Sequence, residues 1–239
     1  ADASANKPVD TGSPAAADVS SSPAEIKPLG DINSGKLSIG PVDFAETYFG
    51  NACAPYPDPL PALYGNFLVA VQTAQIQEGK MCDACVHVTS ATGRSAIARV
   101  VNYGVMGPND IDVSPELNQA LGITDEAGRA VSWRYIECPA KGPMYFKFWE
   151  GGHQWYFKVW IRNQRVPVKS VEVKIPGHDY APIERGQNGE WAAQAQPNTD
   201  FLAGFSLRVT SIQGTVIEQD FPTGPAVYAQ PLVAASTNL

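Results

Sequence analysis

In the segment VVNYGVMGPNDIDVSP, residues 100–115, two short apolar runs flank a loop rich in Gly, Pro and Asn. The second run, Ile111-Asp112-Val113, places one carboxylate between two β-branched residues and so predicts a short strand. Ser114 and Pro115 then predict the start of a helix, because Ser is a favoured N-cap and Pro suits the first helical position. Asp112 is therefore expected at the end of a strand, either as a structural cap or as a functional acid.

Further short runs rich in β-branched and aromatic residues surround this stretch, at 67–71, 86–88, 96–101 and 131–136. Turn signals separate these runs, and only the segment from Ser114 to Gly122 has helical spacing. Short strands with so little helix predict a small β-barrel. We expect this barrel to span residues 39–139.

The C-terminal half has a different pattern. Aromatic runs at 144–149 and 155–162 flank Glu150-Gly151-Gly152-His153, which is a hairpin signal. Three further strand-like runs follow at 168–175, 204–211 and 215–219, with Gln213-Gly214 as a tight turn. A segment of strands without helix predicts a β-sandwich, which we expect over residues 143–231.

The two ends of the chain lack periodicity. Residues 1–38 are rich in Ala, Ser, Pro and Asp, so they are expected to form a flexible leader. Residues 232–239 are expected to be a loose tail. The sequence opens on Ala-Asp-Ala without an initiator Met, as expected after removal of a signal peptide, and this favours a secreted, extracellular protein.

Charge and hydropathy exclude two classes of partner. The formal net charge of −7 argues against nucleic acid, whose phosphates require a basic face. No basic run suggests an anionic membrane surface, and no apolar window approaches the roughly 18 residues of a membrane span. Residues 39–141 carry 11 acidic residues against 6 Lys and Arg, so the negative charge belongs to the expected barrel.

All four cysteines lie in the expected barrel, at Cys53, Cys82, Cys85 and Cys138. An even number predicts two disulfides formed in an oxidising compartment, with three connectivities open. The Cys82-x-x-Cys85 spacing could also serve a metal or redox site. There is no second such pair and the three histidines lie in unrelated contexts, so we expect structural disulfides, no metal and no cofactor.

Four segments carry a family resemblance. TYFGNAC (47–53), CDACVHV (82–88) and DIDVSP (110–115) resemble, in order, the turn, strand and loop motifs of expansin and barwin-like domains. RNQRVPV (162–168), after an aromatic strand, resembles the start of the expansin carbohydrate-binding domain. The sequence is thus similar to microbial expansin-like proteins. The resemblance implies an all-β protein: a six-stranded double-psi β-barrel followed by an immunoglobulin-like β-sandwich that binds cellulose.

The resemblance also implies roles for individual residues. It assigns Asp112 to the glycan groove of the barrel as the functional carboxylate, and Thr47 to the same groove as a hydroxyl. It pairs the cysteines as Cys53–Cys82 and Cys85–Cys138. Asn102 stands where many members have a second acid, and Tyr103 beside it could line a sugar groove or simply pack in its loop.

The missing acid bears on hydrolysis. Inverting cleavage of a glycosidic bond needs two carboxyl groups roughly 6.5–9.5 Å apart, one as acid and one as base. Asn102 cannot accept the proton, and no sequence context marks the remaining acids as a base: Asp43, Glu46, Asp58, Asp83 and Asp110. We therefore expect a non-enzymatic, monomeric protein that binds cellulose and loosens wall polysaccharides. The alternatives are an endo-β-1,4-glucanase with a related barrel and a barwin-like defence or elicitor protein.

The aromatic strand at 155–162 predicts the binding platform. Strand alternation places Trp155 with the core residues and leaves Tyr156 and Trp160 exposed on the other face, roughly 13 Å apart. The resemblance instead implies a platform of Trp155 and Tyr156, so pattern and family disagree about Trp155. The third aromatic of the family falls at Asn188, which leaves Trp191 as its substitute.

Overall fold

The protein is described from a computed structural model that covers residues 26–40, 52–53, 67–124, 129–229 and 232–239. In these ranges the chain forms two β structures joined by a short connection, with one α-helix. Within the same ranges, no helix has both the length and the apolar character needed to cross a bilayer. No cluster of three or more potential metal ligands occurs in that part of the chain either.

The first structure is a closed barrel of six strands in the order β1-β5-β2-β4-β3-β6. Strand β1 runs parallel to β5 and β2 runs parallel to β4, whereas the other neighbours are antiparallel. The double-psi barrel expected from the resemblance is confirmed. Its strands are β1 (Asn33–Ile39), β2 (Leu68–Gln72), β3 (Cys85–Ser90), β4 (Ser95–Gly104), β5 (Ile111–Val113) and β6 (Ala130–Ile136).

Alternation of side chains explains how the barrel is filled. β-Branched and large apolar residues at every second position point inward and form one buried cluster, which includes Val69, Val71, Ile111, Val113 and Trp133. The only α-helix of the described chain, α1 (Pro115–Leu121), follows β5 directly. Ser114 caps it by accepting from the Leu117 N–H, and Gly122, with φ of 67°, ends it as predicted.

The second structure is a β-sandwich, as predicted. One sheet has the order β10-β11-β8-β7-β14 and the other β13-β12-β9-β10, because β10 pairs with both sheets. Phenylalanines dominate the core between them. The strands are β7 (Tyr145–Phe148), β8 (Tyr156–Arg162), β9 (Val168–Lys174), β10 (Ala181–Arg185), β11 (Glu190–Gln194), β12 (Phe205–Ser211), β13 (Val216–Phe221) and β14 (Val233–Ala234).

Two predicted boundaries are wrong. Strand β1 lies almost wholly inside the expected leader, yet it closes the barrel between β5 and β6. The expected tail is also part of the fold, because β14 pairs with β7 and the side chain of Leu239 is buried. Asn238 further accepts from the Arg165 N–H at 2.9 Å. Both segments are short and poor in alternation, so only their long-range partners reveal them.

Both disulfides implied by the resemblance are present, Cys53–Cys82 and Cys85–Cys138. One bond attaches the segment around Cys53 to the turn that precedes β3, and the other attaches the segment after β6 to the first residue of β3. The structural interpretation of the Cys82-x-x-Cys85 spacing is therefore confirmed, since each cysteine of the pair is bonded to a different partner.

Candidate functional site

Asp112 occupies the centre of β5 with its side chain outside the barrel. Its neighbours Ile111 and Val113 are fully buried in the core, so alternation turns the carboxylate outward. Partial burial raises the pKa of Asp112, and the nearby charge of Asp110 raises it further. Asp110 itself accepts from the backbone N–H of Lys36 at 2.7 Å and so ties its loop to β1.

Asp112 and Asn102 lie in one row across three strands. Asp112 pairs with Ala70 on β2, and Ala70 pairs with Asn102 on β4. Two strand spacings put the backbones of Asp112 and Asn102 about 10 Å apart, and the small Ala70 between them keeps the row shallow. The side-chain oxygen of Asn102 accepts from the N–H groups of Ala52 at 3.1 Å and Tyr103 at 2.9 Å. Asn102 therefore places a hydrogen-bonded amide in this row, where a carboxylate could have acted as a base.

The acids considered as partners for Asp112 do not supply that base among the described residues. Asp110 accepts a hydrogen bond from the Lys36 backbone N–H, and Asp83 is buried in a cluster with two arginines. Three of the candidate acids, at positions 43, 46 and 58, and the predicted groove residue Thr47 lie outside the described residues. The role of Thr47 thus stays a prediction.

Tyr103 connects the barrel to the sandwich. Its hydroxyl donates to Oδ1 of Asn188 at 2.8 Å, across the junction between the two structures. Partial burial raises the pKa of the Tyr103 hydroxyl, and the carboxylate of Glu190 adds to the effect. Asn188 occupies the position expected for the third platform aromatic, and sequence reasoning missed its bridging role because the two residues are far apart in the chain.

The exposed aromatics form a patch at the turn of the β7–β8 hairpin. Trp155 is 53 % exposed and Tyr156 is partly exposed at the start of β8. The Tyr156 ring lies 6.2 Å from Trp149, and His153 lies 6.2 Å from both Trp155 and Tyr156. We call Trp149, His153, Trp155 and Tyr156 the aromatic patch. Trp155 precedes the strand, so strand alternation does not apply to it.

Two predicted platform residues are buried. Trp160 is only 6 % exposed, and its indole N–H donates to the carbonyl of Asn188, between β10 and β11, at 3.3 Å. Trp191 is 4 % exposed and belongs to the sandwich core, with the Arg185 guanidinium 5.1 Å from its ring. The predicted exposure of Trp160 and the substitute role of Trp191 are therefore wrong. Trp149, which the sequence analysis did not select, joins the patch instead.

One face of the sandwich leads from the barrel junction to the patch. On this face of β8 and β11, Trp160 pairs with Glu190 and Tyr156 pairs with Gln194. Lys158 lies between them, with its ammonium 3.5 Å from the Glu190 carboxylate. A polar strip on this sheet face thus runs from the junction with the barrel to the aromatic patch. This strip presents hydrogen-bonding groups between Trp160 at the barrel junction and Tyr156 in the aromatic patch.

A buried charge cluster joins the barrel to the sandwich. Asp83 is 1 % exposed, and its carboxylate lies 3.7 Å from Arg99 of the barrel and 3.6 Å from Arg162 of the sandwich. The backbone N–H of Asn163 donates to the same carboxylate at 2.7 Å. A Cβ atom at Gly189 would lie 2.6 Å from that of Cys82, so the two backbones approach closely here. These contacts fix the barrel against the sandwich.

The geometry therefore defines a two-domain class of protein: a double-psi barrel with one outward carboxylate, joined to a β-sandwich with an exposed aromatic patch. No family model matches the chain. The chain is 20 % identical over 179 residues to an expansin of Bacillus subtilis, Expansin-YoaJ, covering 70 % of this chain and 71 % of that protein. It is 24 % identical over 173 residues to expansin-like protein 6 of Dictyostelium discoideum, covering 66 % of this chain and 57 % of that protein.

Solved structures agree with this class. An apo-expansin from Clavibacter michiganensis superposes with a TM-score of 0.70 at 18 % identity, covering 87 % of this chain and 98 % of that chain. A mutant of the Clavibacter expansin in complex with cellohexaose gives the same values. The chain is thus similar in sequence to two expansins and shares the fold of a third.

Proposed function

We propose that this protein binds cellulose and related wall β-glucans and loosens the non-covalent contacts between them without cutting the chains. The observation that carries the proposal is the exposed Trp155 beside Tyr156, whose ring is in edge contact with Trp149. Flat exposed rings stack on the apolar faces of glucosyl units. The complex of the related Clavibacter expansin with cellohexaose supports this class of ligand.

The groove around Asp112 adds hydrogen bonds to the stacking contacts of the patch. The Asp112 carboxylate accepts hydrogen bonds from sugar hydroxyls, and such charge-assisted bonds are stronger than neutral ones. Asn102 and Tyr103 line the same barrel end, with Thr47 proposed beside them. A glucan chain that is bound by the patch and by the groove at the same time exchanges its hydrogen bonds to neighbouring polysaccharide chains for bonds to the protein. This exchange needs no general base, in keeping with Asn102 at the opposite end of the row.

The two disulfides support action outside the cell, because disulfides persist in oxidising compartments. We propose a secreted protein that acts as a monomer on insoluble polysaccharide. Neither the endoglucanase nor the barwin-like alternative is favoured by a feature of the described residues, and both make different predictions in simple assays.

The platform is tested with Trp155→Ala combined with Tyr156→Ala in a pull-down on crystalline cellulose. Losing both rings should weaken binding at least about tenfold, since each stacked ring contributes on the order of 1 kcal/mol or more. Val216→Ala is the matched control, because Val216 is 52 % exposed on the distant strand β13. Unchanged binding by the double variant would refute the platform.

The non-lytic mechanism is tested by reducing-sugar release from soluble and amorphous glucans. We expect no release above a blank, because the row across β5, β2 and β4 holds one carboxylate where inverting hydrolysis needs two. Release that disappears in Asp112→Asn would instead establish the endoglucanase alternative.

A further inference from the structure

A cavity of about 450 Å³ opens on the sandwich directly beside the aromatic patch. Tyr156 belongs to both, since its ring borders the cavity and also contacts Trp149 and His153. The cavity volume lies within the range of about 300–1,000 Å³ that is usual for small-molecule sites. Its other walls come from β9, β10 and β11 and from the two loops that follow β9 and β11.

The cavity and the patch share one backbone frame. The N–H of Ala195 donates to the Trp155 carbonyl at 2.9 Å, and the N–H of Phe201 donates to the Gln154 carbonyl at 2.8 Å. These two bonds clamp the loop after β11 against the patch. Within that loop, the Thr199 hydroxyl donates to the Gln196 carbonyl at 2.8 Å and closes a turn. A ligand on the patch therefore lies at a defined distance from the cavity mouth.

The chemistry of the cavity suits a neutral sugar. Val173 and Ile183 supply apolar surface for the carbon face of a ring. Amide, hydroxyl and imidazole groups lie around it and can bond sugar hydroxyls, from Gln194, Gln196, Thr199 and His178. Asp179 and Glu184 add two carboxylates, and none of the described lining residues is Lys or Arg. An anionic uronic acid would therefore meet repulsion there, whereas a neutral sugar would find acceptors for its hydroxyls.

We propose that this cavity is a subsite for an uncharged single-sugar branch on a β-glucan whose main chain lies on the aromatic patch. The inference rests on the proposed function and extends it to branched wall polysaccharides. A main chain stacked along Trp155 and Tyr156 runs as a flat ribbon over the mouth of the cavity. A branch that projects sideways from that ribbon enters at Tyr156, which fits the cavity lying beside the patch.

The proposal is tested by calorimetric titration of the full chain with two oligosaccharides of equal backbone length. One is a xylosyl-branched cello-oligosaccharide, and the other is the unbranched cello-oligosaccharide. We expect the branched probe to bind about tenfold more tightly, as one or two additional hydrogen bonds with good geometry would provide. Equal affinity of the parent protein for both probes would overturn the proposal.

Two variants separate the cavity from the patch. Ala181→Phe should fill the cavity, remove the preference for the branched probe and leave binding of the unbranched probe within about twofold. Gln196→Ala removes one rim amide, and should lower the preference without adding bulk. The matched controls are Ala203→Phe and Gln219→Ala, which lie outside the cavity lining.

Each outcome has one meaning. A preference that survives in both cavity variants refutes the branch subsite while the proposed function stands. Failure of the unbranched probe and of cellulose to bind the parent protein refutes the proposed function itself. A branched probe bearing a glucuronosyl group in place of xylose should lose the advantage, and an equal gain from it would refute the charge argument.

Discussion

Asp112 shows how a single residue is shaped by its surroundings. It stands between two buried aliphatic residues on a strand of only three residues, and the rigid β5–α1 junction holds its carboxylate outside the barrel. Desolvation raises its pKa and the charge of Asp110 adds to this shift. A carboxylate with a raised pKa on the outer face of a barrel strand is in keeping with the proposed contact with glycan.

Asp112→Asn is predicted to abolish loosening of wall material, measured as extension of a cellulose-based strip under load, and to leave cellulose binding within about twofold. The same variant should unfold with a higher free energy than the parent at about pH 7. The pKa of the Asp112 carboxyl in the folded protein is raised above its ordinary value of 3.8. In the pH window above 3.8 the folded protein therefore binds more protons than the unfolded protein, and its stability falls as the pH rises through this window. The difference in urea unfolding should vanish below that window, and its persistence at low pH would contradict the pKa argument.

The β7–β8 hairpin is the element that organises the patch. Its turn contains Gly151, and a Cβ atom there would lie 2.5 Å from ring carbons of Trp149. The indole of Trp149 therefore packs over the turn, and its edge contact with Tyr156 orients the second ring. The turn glycine thus sets ring geometry in addition to allowing the chain to reverse.

Gly151→Ala is predicted to displace the Trp149 ring and weaken cellulose binding about three- to tenfold, because the rings would no longer share one orientation. The melting temperature should change little, since the displaced ring lies at the surface. Gly30→Ala is the control, because a Cβ atom at Gly30 would meet no other atom within 4 Å. Parent-like binding of Gly151→Ala in a cellulose depletion isotherm would show that Trp149 has no part in the patch.

At the scale of the whole molecule, the buried cluster around Asp83 makes the two β structures act together. Arg99 comes from the barrel and Arg162 from the sandwich, and both are almost fully buried. Arg162 also donates to the carbonyl of Cys53, which the disulfide holds beside Cys82. Removing one member of a buried charge cluster leaves uncompensated charge on the others, so the cost is large.

Asp83→Asn is predicted to lower the free energy of unfolding by about 3–5 kcal/mol. Asn is tolerated at the left-handed backbone conformation of this position, φ of 62°, so the loss reports the charge and not the backbone. Urea unfolding followed by circular dichroism measures it, with the exposed Asp31→Asn as control. A loss no larger than that of the control would mean that the cluster contributes little to the junction.

Local pattern was sufficient for much of this protein. Runs of β-branched and aromatic residues located the barrel strands other than β1, capping chemistry located α1, and the family resemblance supplied both disulfide pairs. Alternation failed at Trp160, because it tells which residues share a face and not what covers that face. It also failed for β1 and β14, since these strands are defined by partners that are distant in sequence, β5 and β6 for one and β7 for the other.

The amino-acid sequence was enough to predict the all-β class, the disulfide bonding of the four barrel cysteines, and a strand carboxylate at Asp112 with an amide at Asn102. Each of these follows from residues close together in the chain or from a motif. Only the folded protein shows which aromatics remain exposed, how Tyr103 and Asn188 join the two β structures, and where the cavity beside Tyr156 opens. These features depend on which surfaces meet in space, because burial and cavity walls arise from contacts between elements that no local pattern encodes.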